Sequence, residues 1–377
     1  MGWVTKRSEK GSYIARYRDP SGRERSKSFR TKGEANAFLA AVETAKHRGE
    51  WTDPTGGKIR FEQYTKDYLA SISHLRPGTR LKVEGHLRNH ILPFFDRTPL
   101  GAIKPADVRS WIAVLEKDGL APGTINGVYR TFFKLMKTAV IDGLIGRSPC
   151  LGIDLPRQTS HEEMKVLDPE QIAALADAIE PRYRALIFTA AYTGMRWGEL
   201  AALKVRRLNL LKGTVEVVES MSEINGVLHV QPTKTGKPRA LSLPRSLCNL
   251  IGEHLGLYPS EEDFVFSSAE GKPLRRNFYK RHYLPALVRS GLDPELCLCN
   301  NKSACDRRHR PLYRFHDLRH TCAALLIAHG AHPKEIQERL GHSTITLTFD
   351  RYGHLFPSLD ERLREGLDRM IRTGRYA

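Results

Sequence analysis

His316, Arg319 and His320 lie at i, i+3 and i+4, so on a helix their side chains crowd one face within a single turn. The run behind them, from Cys322 to Ala328, is apolar enough to be core. A second helix is predicted from Pro333 to Leu340, stopping at Gly341, with His342 next and Tyr352 ten residues further on. Upstream, Arg196 sits in Thr193-Gly-Met-Arg196-Trp-Gly-Glu199-Leu, and Lys234 in the stretch PTKTGKPR. Singly these residues mean little, because His-x-x-Arg recurs by chance and an isolated tyrosine is usually half-buried core. Together they offer two guanidinium forks that can grip an oxyanion, imidazoles that can take a proton, and one phenol that can attack.

These side chains need a scaffold that brings distant segments together. Asp168-Pro-Glu-Gln171 reads as a helix start, with Asp as cap, Pro in the first position and Gln in the third. Tyr183–Tyr192 reads as a buried helix broken at Thr193-Gly194. Arg196 then opens the next helix at its N-terminus, where backbone N–H groups and the dipole favour an anion. Residues 205–243 hold short β-branched runs with turns at Lys212-Gly213, Asn225-Gly226 and Thr235-Gly-Lys. They predict a small antiparallel sheet with Lys234 at a hairpin tip. An apolar run at 264–268 follows, with helices resuming from about Arg275. Beyond Tyr352, the tail places Leu359, Leu363, Leu367, Met370 and Ile371 on one helical stripe that needs something to pack against.

The first 163 residues have a different organisation. Residues 1–55 form a small basic unit: Tyr13–Arg18 alternates as a strand, Asp19-Pro-Ser-Gly22 turns, and RERSKSFR makes a second strand. Thr31-Lys-Gly-Glu34 is a capping box that opens a helix through about Lys46. Ten Lys/Arg face three Asp/Glu over residues 1–32, so the two- or three-stranded ribbon is either a DNA-groove binder or a solubilising hairpin. Residues 49–59 read as linker, and residues 58–146 as a helical domain with helices at Phe61–Ser73, Thr79–Leu92, Pro105–Lys117 and Pro122–Ile141. Residues 146–163 lack periodicity and join it to a third domain, 164–377. The fold class is thus mixed α+β and mostly helical.

A net charge of +18 and a pI near 9.7 favour a polyanionic partner, most often nucleic acid. No run approaches a membrane-spanning length and the N-terminus lacks a signal-type apolar region, which predicts a cytoplasmic protein that makes no membrane contact. Six cysteines in 377 residues do not make a disulfide scaffold.

Taken in order, Arg196, Lys234, His316, Arg319, His342 and Tyr352 resemble the signature of the tyrosine recombinase (phage integrase) family: Arg, Lys, His-x-x-Arg, His or Trp, then Tyr. The resemblance covers at least residues 164–357. It implies an arm-type DNA-binding domain at 1–55, a core-binding domain at 58–146 and a catalytic domain at 164–377. The implied enzyme is a site-specific recombinase, an integrase of a phage or other mobile element in a bacterial host. It works as a homotetramer on double-stranded attachment-site DNA through a 3′-phosphotyrosine and a Holliday junction. Accessory DNA-bending and excision-directing proteins are implied partners. On a phosphodiester, Arg196 and Arg319 can clamp nonbridging oxygens, Tyr352 can attack, His316 can accept its proton and His342 can hydrogen-bond an oxygen. Lys234 can protonate the leaving 5′ oxygen, while Glu199 is better placed to orient a cation. His320 shares the face of His316 and is open to a site role or a structural one. No catalytic cofactor is expected, since neither a carboxylate cluster nor a Gly-rich phosphate loop is present. The rival readings are a resolvase or inverting recombinase of the same chemistry, and a catalytically silent DNA-binding regulator.

One motif lies outside that signature. Cys297, Cys299, Cys305 and His309, spaced C-x-C-x5-C-x3-H just before His316, can supply a closed structural zinc site. Reduced thiols are the simpler alternative.

Overall fold

The computed structural model describes residues 2–6, 11–20, 22–47, 56–157, 164–233, 236–299, 305, 308–355, 364, 367, 368 and 370–372. The chain divides into two units, Met1–His161 and Glu162–Ala377.

The first unit begins with strands β1 (Trp3–Lys6), β2 (Tyr13–Arg18) and β3 (Glu24–Phe29), paired antiparallel in that order. Alternation decides which face is buried. Ala15 and Tyr17 of β2 pack on Ala35, Leu39 and Val42 of helix α1 (Lys32–His47), while Arg16 and Arg18 point the other way. The expected capping box is present: Glu34 N–H donates to Thr31 Oγ1 at 3.2 Å and Thr31 N–H to the Glu34 carboxylate at 3.3 Å.

Helices α2 (Phe61–Ser71), α3 (Pro77–His86), α4 (Leu92–Phe95), α5 (Pro105–Lys117) and α6 (Pro122–Ile141) follow. Their shared core centres on aromatic rings, with Phe95 stacked on Phe132 at 5.0 Å and Trp111 also 5.0 Å from Phe132. The helix expected at Thr79–Leu92 does not stop before Pro93. A π turn at Leu87–Ile91 widens the backbone ahead of the proline and lets the helix run on into α4. The same device recurs at Tyr279–Tyr283, ahead of Pro285.

In the second unit, α7 (Pro169–Ala178) starts at the expected Asp168 box, where the Gln171 N–H donates to the Asp168 carboxylate at 2.8 Å. Next come α8 (Pro181–Thr193), α9 (Trp197–Ala201), strands β4 (Leu208–Asn209), β5 (Thr214–Val217), β6 (Glu219–Ile224), β7 (Val227–Pro232) and β8 (Arg239–Ser242), then α10 (Arg245–Leu257) and α11 (Leu284–Arg289). The single sheet expected over 205–243 is in fact two, ordered β4-β5-β8 and β6-β7. Strand β7 pairs with β6 and β8 with β5, and Pro232 and Pro238, which have no N–H to donate to a ladder, flank the connection between them; the hairpin tip expected at Lys234 lies outside the described residues.

Helices α12 (Asp317–Ala328), α13 (Pro333–Leu340) and α14 (Thr346–Tyr352) follow. The side chain of Thr321 on α12 accepts from the Leu167 N–H at 3.1 Å, fixing α12 to the start of α7. Of the tail stripe, Leu359 and Leu363 lie outside the described residues, and Leu367, Met370 and Ile371 are exposed. Among the described residues, no helix is long and apolar enough to cross a membrane.

Candidate active site

The site is built where α8 ends. Gly194 adopts a left-handed conformation, φ +66°, and a Cβ there would meet Leu340 Cδ2 at 2.5 Å and Cys322 Sγ at 3.2 Å. Only glycine turns the chain this tightly against α12 and α13. Two residues on, Arg196 caps α9 and is held by Glu199, whose carboxylate accepts from the Arg196 backbone N–H and from Nη1, both at 2.9 Å. Glu199 is buried to 1% exposure. It also accepts a two-toothed contact from Arg239 on β8, at 3.1 and 2.7 Å. Burial raises the Glu199 pKa, but the Arg239 fork, with Arg196, outweighs it and holds the carboxyl below its usual range. Arg239 in turn donates from Nε to the Arg339 carbonyl at 3.0 Å, joining β8 to α13. Sequence reasoning assigned Arg239 nothing, although it closes the PTKTGKPR stretch. A carboxylate expected to orient one cation proves to orient two.

Arg319 is almost fully buried, at 3% exposure, and its fork donates to the carbonyls of Gly194 at 2.6 Å and Leu340 at 2.5 Å. Arg196 Nη2 reaches the carbonyl of Gly341 at 3.4 Å. The two guanidiniums therefore converge on the C-terminal end of α13, whose unpaired carbonyls and negative dipole end welcome cations. Burial and the Arg196 charge lower the Arg319 pKa to about 9, which still leaves it charged at neutral pH. Each guanidinium has five N–H donors, so both keep donors for an oxyanion.

His316 and His320 stand on one face as the spacing predicted, their rings 5.1 Å apart and perpendicular. The phenol of Tyr352 is buried, and its oxygen lies 2.9 Å from Nδ1 of His320. It is thus His320, rather than His316, that engages the tyrosine. His342 stacks nearly parallel to the Tyr352 ring at 6.3 Å, and its Nδ1 is held by Thr348 Oγ1 at 2.9 Å, leaving Nε2 for a ligand. Burial, then neighbouring positive charge, lowers the pKa of His316 and His342 to about 4 and that of His320 to about 3. Tyr352 moves up to about 12 because burial outweighs the opposing pull of Arg319 and Arg351.

Five of the six residues expected in the catalytic signature, Arg196, His316, Arg319, His342 and Tyr352, are thus gathered around α12 and α13. Lys234 lies outside the described residues. The Cys/His motif is also brought together, with the four ligand atoms of Cys297, Cys299, Cys305 and His309 within 4.8 Å of one another.

Residues 165–358 match the Phage integrase family, and residues 60–115 match the Phage integrase, N-terminal SAM-like domain. The integrase of Mycobacterium phage D29 is 26% identical over 363 residues, covering 91% of this chain and 90% of that protein. Among solved structures, the Tn1549 transposon integrase in complex with transposon right end DNA superposes with a TM-score of 0.69 at 21% identity, over 83% of this chain and all of that one. A lambda integrase tetramer bound to a Holliday junction gives 0.57 at 17% identity, over 91% and 96%. These two likenesses establish a shared fold.

Proposed function

The chain belongs to the phage integrase family, the tyrosine recombinases, and from that premise we propose how its residues carry out strand exchange. The protein is a site-specific recombinase that integrates phage or other mobile-element DNA. Its partner is double-stranded DNA, in keeping with a net charge of +18. Assembly as a homotetramer fits the exposed Leu367, Met370 and Ile371, apolar residues with the tail spacing of a helix that docks on a neighbour. The work is done in the bacterial cytoplasm, with accessory proteins directing excision.

Arg196 and Arg319 clamp the nonbridging oxygens of the scissile phosphate, and His342 Nε2 donates to one of them. The Tyr352 oxygen attacks phosphorus while its proton passes to His320 Nδ1. The bond from phosphorus to the 5′ oxygen breaks, and Lys234 supplies the proton that the leaving oxygen takes. The product is a 3′-phosphotyrosine and a free 5′-hydroxyl. Because the phosphotyrosine keeps the energy of the phosphodiester, a 5′-hydroxyl from another duplex can reverse the steps and join strands without ATP.

The observation that carries this reading is the Tyr352–His320 contact on the helix that also delivers the buried Arg319 fork. Tyr352→Phe removes only the phenolic oxygen. DNA binding should survive, and covalent attachment to a nicked attachment-site duplex should vanish on a denaturing gel. An adduct formed by the Phe variant would place the nucleophile elsewhere.

A further inference from the structure

The cluster formed by Cys297, Cys299, Cys305 and His309 belongs to no step of the recombination chemistry. Its polar atoms nevertheless converge. Cys297 Sγ lies 3.5 Å from Cys305 Sγ, and Cys299 Sγ lies 3.9 Å from His309 Nε2. Tetrahedral zinc, with bonds of about 2.3 Å to sulfur and about 2.0–2.1 Å to nitrogen, requires edges of roughly 3.5–3.8 Å. The widest separation among the four atoms, within 4.8 Å, closes to that edge by a shift of about an ångström. We propose that these four side chains bind one structural zinc ion.

Ligand chemistry selects the metal. Three thiolates and an imidazole in a compact four-atom set suit Zn(II), and oxygen-preferring Mg(II) or Ca(II) would find no carboxylate among them. With four protein ligands the coordination is closed, so the ion has no open position for a reactive water. Three thiolates and Zn(II) leave one net negative charge. From residue 293 to 310 the sequence holds Lys302, Arg307, Arg308 and Arg310 against Asp293, Glu295 and Asp306, a slight excess of positive charge close in sequence to the ligands.

The surroundings indicate what the ion would do. Around the cluster the chain has little core of its own: Leu296 is buried, but Leu298 between the first two thiols is exposed. The base of the segment is stapled instead by polar contacts. Buried Asp293 accepts from the Arg308 guanidinium and from the Leu312 N–H, the latter at 2.7 Å, and the Cys297 N–H donates to the Arg308 carbonyl at 2.8 Å. From that staple the chain runs through Phe315, which is buried against Trp197 and Tyr283, directly to His316 at the start of α12. Zinc therefore pins the segment that sets the N-terminus of the helix bearing His316, Arg319 and His320.

The test uses the full-length protein, purified without chelator under reducing conditions. Elemental analysis should find about one equivalent of zinc. Cobalt loaded after chelation should show the intense visible bands of a tetrahedral thiolate site. Cys299→Ser and His309→Ala should release zinc at a chelator concentration that leaves the wild type loaded. Removing the metal should speed amide exchange through residues 293–316 and leave that of α5 and α6 unchanged. These readouts need neither DNA nor recombination, so they succeed or fail independently of the catalytic assignment. A zinc content below about a tenth of an equivalent overturns the site. So does a mass two hydrogens short, the mark of a Cys297–Cys305 disulfide in the purified chain. Because the wild-type content and cobalt spectrum decide the matter, a variant that fails to fold does not shelter the proposal.

Discussion

The Tyr352 hydroxyl and His320 Nδ1 are 2.9 Å apart, and the imidazole is one turn along α12 from His316. A phenol pushed up to about 12 needs somewhere to send its proton, and an imidazole held down to about 3 stays neutral and able to accept a hydrogen bond at neutral pH. A phosphate entering the site brings negative charge, which raises the basicity of His320 toward that of a working base. His320→Asn keeps an acceptor near the Nδ1 position but cannot take the proton. Covalent-complex formation should slow by about a hundredfold or more at neutral pH, with DNA binding retained. The deficit should narrow as pH rises, because a growing fraction of the phenol is then ionised without help from a base. If the Asn variant cleaves at the wild-type rate, His320 only positions the tyrosine and His316 is the base.

The depressed histidines also make the fold sensitive to acid. An imidazole whose folded pKa lies below its unfolded value of about 6.5 contributes stability that is complete above that value. The contribution is lost as pH falls toward about 4 for His342 and about 3 for His320, since the unfolded chain takes up protons that the folded chain refuses. His316 is exposed on its open side, where solvent screens its neighbours, so His320 should dominate. Denaturant titrations at neutral pH and near pH 5 should show a clear drop in midpoint for the DNA-free protein. The drop should be smaller in His320→Gln, which has nothing to protonate. Equal acid sensitivity in the two proteins would contradict the assignment.

Arg196→Lys keeps a positive charge but loses the planar fork, and with it both the Glu199 contact and the paired grip on an oxyanion. Single-turnover cleavage should fall at least about a hundredfold, with little change in affinity for DNA. Glu199→Ala is a different lesion. It strands two guanidiniums in a site where Arg239 is only 11% exposed, and breaking such a buried pair costs about 3–5 kcal/mol. The Ala variant should therefore lose stability as well as rate, whereas in the Lys variant Glu199 keeps the Arg239 fork and the loss falls chiefly on rate. Thermal melts beside cleavage assays separate the two.

Local signals made most of this architecture legible. Capping boxes at Thr31 and Asp168, prolines at the starts of α5 and α6, and Gly341 after α13 each set a boundary through contacts within a few residues. The ordered signature residues located the site for a similar reason: His316 and Arg319 share one helical turn, and Tyr352 closes a short helix. Features decided by distant partners were not legible. Nothing near Arg239 in sequence shows that it meets Glu199, 40 positions away. Which imidazole faces the tyrosine depends on how α14 packs against α12, and helical spacing alone cannot choose between His316 and His320. The split of the sheet was missed because turn residues mark where strands reverse without saying which strand each one then pairs with. The π turns before Pro93 and Pro285 were missed because a proline ordinarily ends a helix.

The basic N-terminal unit yields the last prediction. Residues 1–32 carry ten Lys/Arg against three Asp/Glu, and the face of the sheet turned away from α1 presents exposed Trp3 opposite Arg16, with Arg18 beyond. A twisted antiparallel ribbon of this kind can enter a major groove, and its cations would displace counterions from phosphates. Deleting residues 1–55 should leave covalent attachment to a short core-site duplex intact, because the cation clamp and Tyr352 lie in the second unit. Recombination between two full-length attachment sites should fall sharply. Affinity for the full-length site should lose its steepest salt dependence, the log–log slope dropping by about 0.9 for each phosphate contact removed. If the truncated protein recombines full sites as well as the intact chain and with the same salt slope, the first sheet and its helix serve solubility rather than DNA.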